Sequence, residues 1–186
     1  MKQPASNGCL SRRLFVLRAA SPVALALVGL TPRETEAAVR ERSLLLQHLH
    51  TGERLRTTYF ADGRYLPEAM RAAAHHLRDW RQDLARPVDP KLLDLLWSLR
   101  RRLDTSGPID VLCGYRSPAT NALLRRTSRG VARNSLHMRG MAIDLRVPGR
   151  SLRSLRAAAA SLKGGGVGYY PRSGFVHVDT GDVRYW

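Results

Sequence analysis

Asp144 stands in the middle of the segment 141–147, whose other members are apolar except Arg146. Gly140 precedes the segment and Pro148 follows it, so the pattern predicts one buried β-strand. A carboxylate is costly to bury unless a cation meets it. The folded chain must therefore bring either a metal ion or a basic side chain, such as that of Arg146, to this strand.

Two histidines lie where they could build a metal site around this aspartate. His137 comes seven residues before Asp144, at the end of a polar loop. His177 and Asp179 alternate within Phe175–Asp179 and so share one face of a predicted strand. If the two strands are neighbours, two imidazoles and one carboxylate meet and leave a fourth position open for water, as in catalytic zinc sites. The alternative is that Asp144 pairs with an arginine and the histidines are incidental.

The remaining pattern predicts one α+β domain. Two strands surround a turn at Gly52, and Pro67 opens a helix that we expect to reach Leu84. Three further helices are predicted to start at Asp89, Ser117 and Ser151. Because the helices mostly precede a run of short strands, we expect a small antiparallel sheet with helices packed on one side.

Residues 1–38 have the order of a secretory signal rather than of a folded domain. Arg12 and Arg13 precede a mildly apolar stretch, 19–30, and small residues suited to cleavage follow. The paired arginines resemble a twin-arginine export signal; the alternative is a disordered basic arm with an apolar anchor. Cleavage would leave one domain, residues 39–186. No apolar run approaches the ~18 residues of a transmembrane helix, so we expect no stable membrane insertion after cleavage.

The chain is strongly basic, with 31 lysines and arginines against 15 acidic residues and a formal charge of +16. This charge suits an anionic partner such as nucleic acid, lipid or an acidic cell-wall polymer. It is equally explained by a GC-rich genome, in which arginine codons are common. No nucleic-acid recognition motif accompanies it, so we expect no nucleic-acid binding. Cys113 is the one cysteine left after cleavage, and we interpret it as a small core residue.

Four motifs together resemble the zinc D-Ala-D-Ala carboxypeptidase superfamily, and within it the murein endopeptidase K branch. In chain order they are Gly114-Tyr-Arg-Ser117, Ser135-x-His137-x-x-Gly140-x-Ala142-x-Asp144, Gly166-x-Gly168-Tyr-Tyr170 and Phe175-Val-His-Val-Asp-Thr-Gly181. The resemblance extends from the turn at 49–53 to Trp186. It implies a Hedgehog/DD-peptidase-like fold and one zinc ion, with His137, Asp144 and His177 as its ligands.

The resemblance also suggests catalytic residues. An arginine before a capped helix is matched by Arg116, which we expect to bind the substrate carbonyl oxygen or the oxyanion; the alternative is a salt bridge near the cap. Many relatives have an acidic general base three residues before the last histidine ligand, where this chain has Gly174. Asp179 is the next candidate for the base. Its alternatives are to orient a histidine ligand or to cap the turn before Gly181.

Four residues are candidates for binding the substrate: Ser117, Ser135, Tyr169 and Tyr170. The serines could instead cap or orient neighbouring elements, and the tyrosines could instead pack in the core. None of the serines lies in a G-x-S-x-G setting, so no serine nucleophile is expected.

These features predict an exported, monomeric zinc metallopeptidase of the periplasm. We expect it to hydrolyse peptide cross-links between the stem peptides of peptidoglycan with a zinc-activated water. The alternatives are a D-alanyl-D-alanine carboxypeptidase and a non-catalytic cell-wall-binding relative. Gly174, at the position of the missing base, keeps the last alternative open.

Overall fold

The computed structural model describes residues 41–128 and 130–186, and the predicted export signal lies outside them. Within these ranges the helices are α1 (Pro67–His76), α2 (Pro90–Arg102), α3 (Pro118–Thr127) and α4 (Leu152–Leu162), with a 3-10 helix at Leu136–Arg139. The strands are β1 (Arg42–His48), β2 (Arg54–Ala61), β3 (Arg64–Tyr65), β4 (Ile109–Cys113), β5 (Ala142–Arg146), β6 (Gly166–Tyr170), β7 (Phe175–Asp179) and β8 (Arg184–Tyr185). None of these helices is long and apolar enough to cross a membrane.

The described strands form one sheet in the order β3-β2-β1-β4-β5-β7-β6-β8. Neighbours are antiparallel except for β1 with β4 and β6 with β8, which run parallel. The predicted α+β class is confirmed, but the sheet is larger than expected and mixed. The first parallel pair arises because the long connection that carries α1 and α2 returns the chain to β4 in the direction of β1.

Successive side chains alternate between the two faces of a strand, and in the central strands these faces differ chemically. Ile143 and Leu145 of β5, with Val176 and Val178 of β7, are fully buried on one face. They join a core with leucines of α2 and α4, including Leu92, Leu96, Leu99 and Leu155. The opposite face of β5 and β7 is consequently free to carry polar side chains without opening the core.

The first helix ends earlier than the pattern predicts. We expect it to reach Leu84 from the sequence, but α1 ends at His76. The carbonyl oxygen of Leu77 accepts a hydrogen bond from the Tyr115 amide at 2.6 Å, and the Asp79 carboxylate accepts one from the Ser117 amide at 2.8 Å. The prediction is wrong beyond His76 because these bonds tie the segment after α1 to the start of α3.

Candidate metal centre

Three neighbouring strands place side chains in one row on the face opposite the core. Cys113 of β4 pairs with Asp144 of β5, and Asp144 pairs with His177 of β7. A register shift between Val111 and Cys113 inserts one extra residue in β4 and brings Cys113 opposite Asp144. The strands of Asp144 and His177 are neighbours, as the predicted metal site requires. The interpretation of Cys113 as a core residue is wrong, because it lies half-buried on the polar face.

The 3-10 helix brings His137 onto this row. The Ser135 hydroxyl caps the helix by accepting from the His137 amide, and Gly140 ends it in the left-handed region at φ 68°. Nδ1 of His137 lies 2.7 Å from the carbonyl oxygen of Gly114. Since a carbonyl oxygen only accepts, Nδ1 carries the proton, and the lone pair of Nε2 is left for the row.

Three potential ligand atoms form a small triangle. Nε2 of His137 lies 3.2 Å from Nδ1 of His177 and 3.3 Å from Oδ1 of Asp144. Nδ1 of His177 lies 2.9 Å from the same carboxylate oxygen. Zinc binds nitrogen and oxygen at about 2.0–2.2 Å, which places two tetrahedral ligands about 3.3–3.5 Å apart. The triangle needs only a slight expansion to hold one zinc ion.

The His177 ring is fixed from its other side by Asp179. Oδ2 of Asp179 lies 3.0 Å from Nε2 of His177, where the carboxylate can accept an N–H in the tautomer that leaves the lone pair of Nδ1 for the triangle. Oδ1 of Asp179 accepts from the amides of Gly166 and Gly181. Burial alone would raise the pKa of Asp179, but the hydrogen bonds from His177, these amides and Arg184 hold it well below its usual value.

The triangle sets one anionic oxygen against one nitrogen of each of two imidazoles, an arrangement that attracts positive charge. Burial disfavours a charge on His137, yet the Asp144 carboxylate raises the pKa of His137 to about 10. Arg116 approaches Asp144 only to 3.6 Å. Arg146, the alternative partner of Asp144, pairs with Asp110 at 3.0 Å instead. The residues present thus fit a divalent metal ion.

Arg116 reaches the site from the chain after β4. Its amide donates to the carbonyl oxygen of His137 at 3.2 Å. Within the described ranges its guanidinium makes only long contacts, at 3.4 Å to Oδ1 of Asn121 and 3.5 Å to Sγ of Cys113. Its buried Nε has no acceptor among the described residues. The guanidinium consequently retains donor capacity for a group bound beside the triangle.

A cleft of about 510 Å³ opens on the triangle. Besides the three triangle residues, its described lining includes Arg116, Leu124, Ser135, Tyr170, Arg184 and Trp186. Among the described lining residues Asp144 is the one carboxylate. Asp179, the expected base, has no exposed surface, and the His177 ring stands between its Oδ2 and the triangle. Its position favours the alternative role of orienting a histidine.

The four candidate substrate-binding residues fall into two pairs. Ser135 and Tyr170 line the cleft. Ser117 is buried, and its hydroxyl caps α3 by accepting from the Thr120 amide at 3.1 Å. Tyr169 alternates to the other face of β6 and packs against the core. The structure thus brings Ser135 and Tyr170 to the cleft and keeps Ser117 and Tyr169 out of it.

Sequence reasoning missed Arg184 and Trp186, which line the same cleft. The available signal is the alternating Gly166-x-Gly168 pattern of β6, because glycine in a strand often marks the close approach of another group. A Cβ on Gly166 would lie 2.7 Å from the Arg184 guanidinium, and one on Gly168 would lie 2.6 Å from the Trp186 indole.

Comparison with known proteins gives one consistent result. A family model described as Peptidoglycan L,D-endopeptidase MepK matches residues 36–186. Peptidoglycan L,D-endopeptidase MepK of Escherichia coli (strain K12) is 46% identical over 153 residues, which cover 82% of this chain and 84% of the relative. Probable peptidoglycan L,D-endopeptidase MepK of Haemophilus influenzae is 40% identical over 163 residues, covering 86% of this chain and 88% of the relative.

Proposed function

This chain belongs to the peptidoglycan L,D-endopeptidase MepK family and is a murein endopeptidase, and we propose that it cleaves its substrate with one zinc ion held by His137, Asp144 and His177. The relatives' name specifies an L,D bond, and the proposal extends that bond type to this chain. The observation that carries the proposal is the triangle, in which one nitrogen of each of two imidazoles and a carboxylate oxygen lie within 3.3 Å of one another.

Each residue of the site has a separate task in this proposal. Zinc, when bound, acts as a Lewis acid and lowers the pKa of a coordinated water toward about 7. The carbonyl of Gly114 fixes the tautomer of His137, and Asp179 fixes that of His177. Arg116 donates hydrogen bonds to the oxygen of the scissile carbonyl as negative charge develops on it. Asp179 serves as a positioning residue rather than as the base, because it is buried behind the ring that it orients.

The proposed activity requires export, since peptidoglycan lies outside the cytoplasmic membrane. We assign residues 1–38 as a signal of the twin-arginine type and residues 39–186 as a peptidase domain that acts as a monomer in the periplasm. Replacing Arg12 and Arg13 together by lysine should leave uncleaved precursor in the cytoplasm, measured by fractionation and intact mass. Unchanged export of the double variant would refute the twin-arginine assignment.

Metal analysis and digestion of purified sacculi test the enzyme directly. We expect close to one zinc per chain and loss of cross-linked muropeptides with the wild type, read by mass spectrometry. Asp144→Ala should abolish both. Asp110→Ala is the matched control. It removes a carboxylate of the neighbouring strand β4 that pairs with Arg146, and it leaves the triangle intact.

The masses of the products separate the alternatives. Release of monomers from cross-linked dimers supports the endopeptidase, and the new chain ends identify the bond. Loss of a terminal alanine from intact dimers would indicate a carboxypeptidase instead. Binding to sacculi without any new product would indicate the non-catalytic relative and would refute the proposal.

A further inference from the structure

Two adjacent aromatic residues at β8 face opposite sides of the sheet. Tyr185 pairs with Val167 of β6, and its hydroxyl donates to the carbonyl oxygen of Ala160 in α4, on the core side. Trp186 follows directly, and its indole lies over Gly168 on the side of the metal centre. Both side chains are about equally exposed, at 49% and 45%. Of these two rings, that of Trp186 therefore lines the cleft.

The Trp186 indole extends the row of the metal centre. Gly168 is the register partner of His177, so the indole occupies the space that a side chain at position 168 would fill. The centroids of the Trp186 and His177 rings lie 5.4 Å apart. A substrate bond held over the triangle consequently has this ring beside it.

The indole is held in place although nearly half of it is exposed. Its Nε1 donates to the hydroxyl of Tyr170 at 2.8 Å, and its backbone exchanges hydrogen bonds with Val167 and Tyr169. The Arg184 guanidinium lies 5.1 Å from the ring and is itself anchored on Asp179 at 2.7 Å. An exposed aromatic ring that is already ordered loses little entropy when a ligand packs on it.

We propose that the exposed face of Trp186 is the platform on which the cleft binds the peptide part of its substrate. The inference rests on the proposed function and specifies how that site binds. The matching ligand is a peptide with small aliphatic side chains, because amide planes and methyl groups pack on an aromatic face. The cleft is apolar elsewhere too, where Leu124, Val131 and Ala132 line it.

Kinetics of the zinc-loaded enzyme on a purified cross-linked muropeptide test this platform. Trp186→Ala should raise KM about tenfold with kcat changed less than about twofold, since the ring binds substrate and transition state alike. Trp186→Phe keeps a ring and should raise KM by a smaller factor. Tyr185→Ala is the matched control, as the neighbouring ring faces the core side, and its KM should match that of the wild type.

Other results would overturn the inference. An unchanged KM in Trp186→Ala refutes the platform. A fall in kcat with constant KM in Trp186→Ala would show that the ring acts through His177 rather than by binding substrate. Equal effects on KM in Trp186→Ala and Tyr185→Ala would show that the two residues act only by maintaining the fold of β8. A wild type that cleaves no muropeptide refutes the proposed function itself, which keeps the two failures distinguishable.

A binding measurement covers the case in which Trp186→Ala does not fold. The fluorescence of the wild type minus that of Trp186→Phe reports on this indole. Rapid mixing with saturating muropeptide should shift the difference spectrum to shorter wavelength before turnover, because the exposed face becomes covered. A difference spectrum that does not move refutes the platform.

Discussion

Asp144 and Asp179 bind opposite nitrogens of one imidazole, with Oδ1 of Asp144 2.9 Å from Nδ1 of His177 and Oδ2 of Asp179 3.0 Å from Nε2. A neutral imidazole has one N–H, so the ring can donate a hydrogen bond to only one of the two carboxylates. A metal at the triangle needs the lone pair of Nδ1, so the proton must stay on the Asp179 side. Asp179 therefore controls the metal centre without touching the cleft.

Asp179→Asn should weaken zinc binding about 10- to 100-fold, because an amide no longer attracts the His177 proton as a carboxylate does. A competition titration against a chromophoric chelator measures this. At saturating zinc, kcat should recover most of the wild-type value. Normal zinc affinity combined with a collapse of kcat would instead restore Asp179 as the general base.

Arg116→Ala should lower kcat by roughly 10²–10³, the effect of removing one oxyanion donor, while the zinc content stays at the wild-type level. Arg116→Lys should recover only part of the loss, since an ammonium lacks the planar fork of the guanidinium. Turnover of a muropeptide, with zinc measured on the same samples, gives both numbers.

Arg146→Ala is the control for that loss, because it removes an arginine two residues after Asp144 whose partner is Asp110. Its kcat should stay near that of the wild type. Equal losses in the two variants would mean that net charge, rather than the position of Arg116, is responsible.

Stability should fall in mild acid because of His48, which is fully buried at the end of β1. Its Nδ1 accepts from the amides of His50 and Thr51. Burial, aided by the nearby His76 and His50, lowers the pKa of His48 from 6.5 to about 4. Between these values the unfolded chain binds a proton that the folded chain does not. The free energy of unfolding should therefore decrease below about pH 6.5, by up to about 3 kcal/mol near pH 4.

His48→Asn tests this pH dependence, because its side-chain oxygen can still accept from the two amides but does not titrate. Urea unfolding at pH 7.5 and pH 4.5 should show a smaller loss of stability in the variant than in the wild type. The same pH dependence in both proteins would assign the acid sensitivity to other groups.

The strands of the site could be predicted because alternation is a local property. Ile143, Asp144 and Leu145 already show which face of β5 is apolar, and Phe175–Asp179 shows the same for β7. An aspartate between two core residues must have a cationic partner, and this rule allowed a metal ion held with His137 and His177 or an arginine such as Arg146. The resemblance to the zinc peptidase superfamily, rather than this rule, selected the metal ion and its ligands.

Long-range contacts explain what the sequence did not predict. The end of α1 at His76 depends on the bond from Tyr115 to Leu77, which lie far apart in the chain. The side of β4 on which Cys113 lies depends on a bulge that has no local signal. The two-residue spacing from His177 correctly placed Asp179 on the same strand face. It could not show whether the carboxylate oxygens reach the cleft or contact Nε2 of the His177 ring.

Gly140→Ala should both destabilise the fold and weaken zinc binding. Gly140 has φ 68°, and a Cβ there would lie 2.4 Å from the carbonyl oxygen of Pro87. The amide of Asp89 also donates to the carbonyl oxygen of Gly140 at 2.9 Å, so the two segments cannot separate freely. The 3-10 helix must shift to relieve the contact, and His137 moves with it.

Gly149→Ala provides the matched control, because its φ is 74° and no atom of the described residues lies within 4 Å of its Cβ position. It should lose only the roughly 1–2 kcal/mol expected for a left-handed alanine and keep wild-type zinc affinity. Gly140→Ala should lose clearly more on denaturation and bind zinc more weakly in the chelator titration. Equal losses of stability with unchanged zinc affinity would mean that the backbone angle alone matters and that the contact with Pro87 does not position His137.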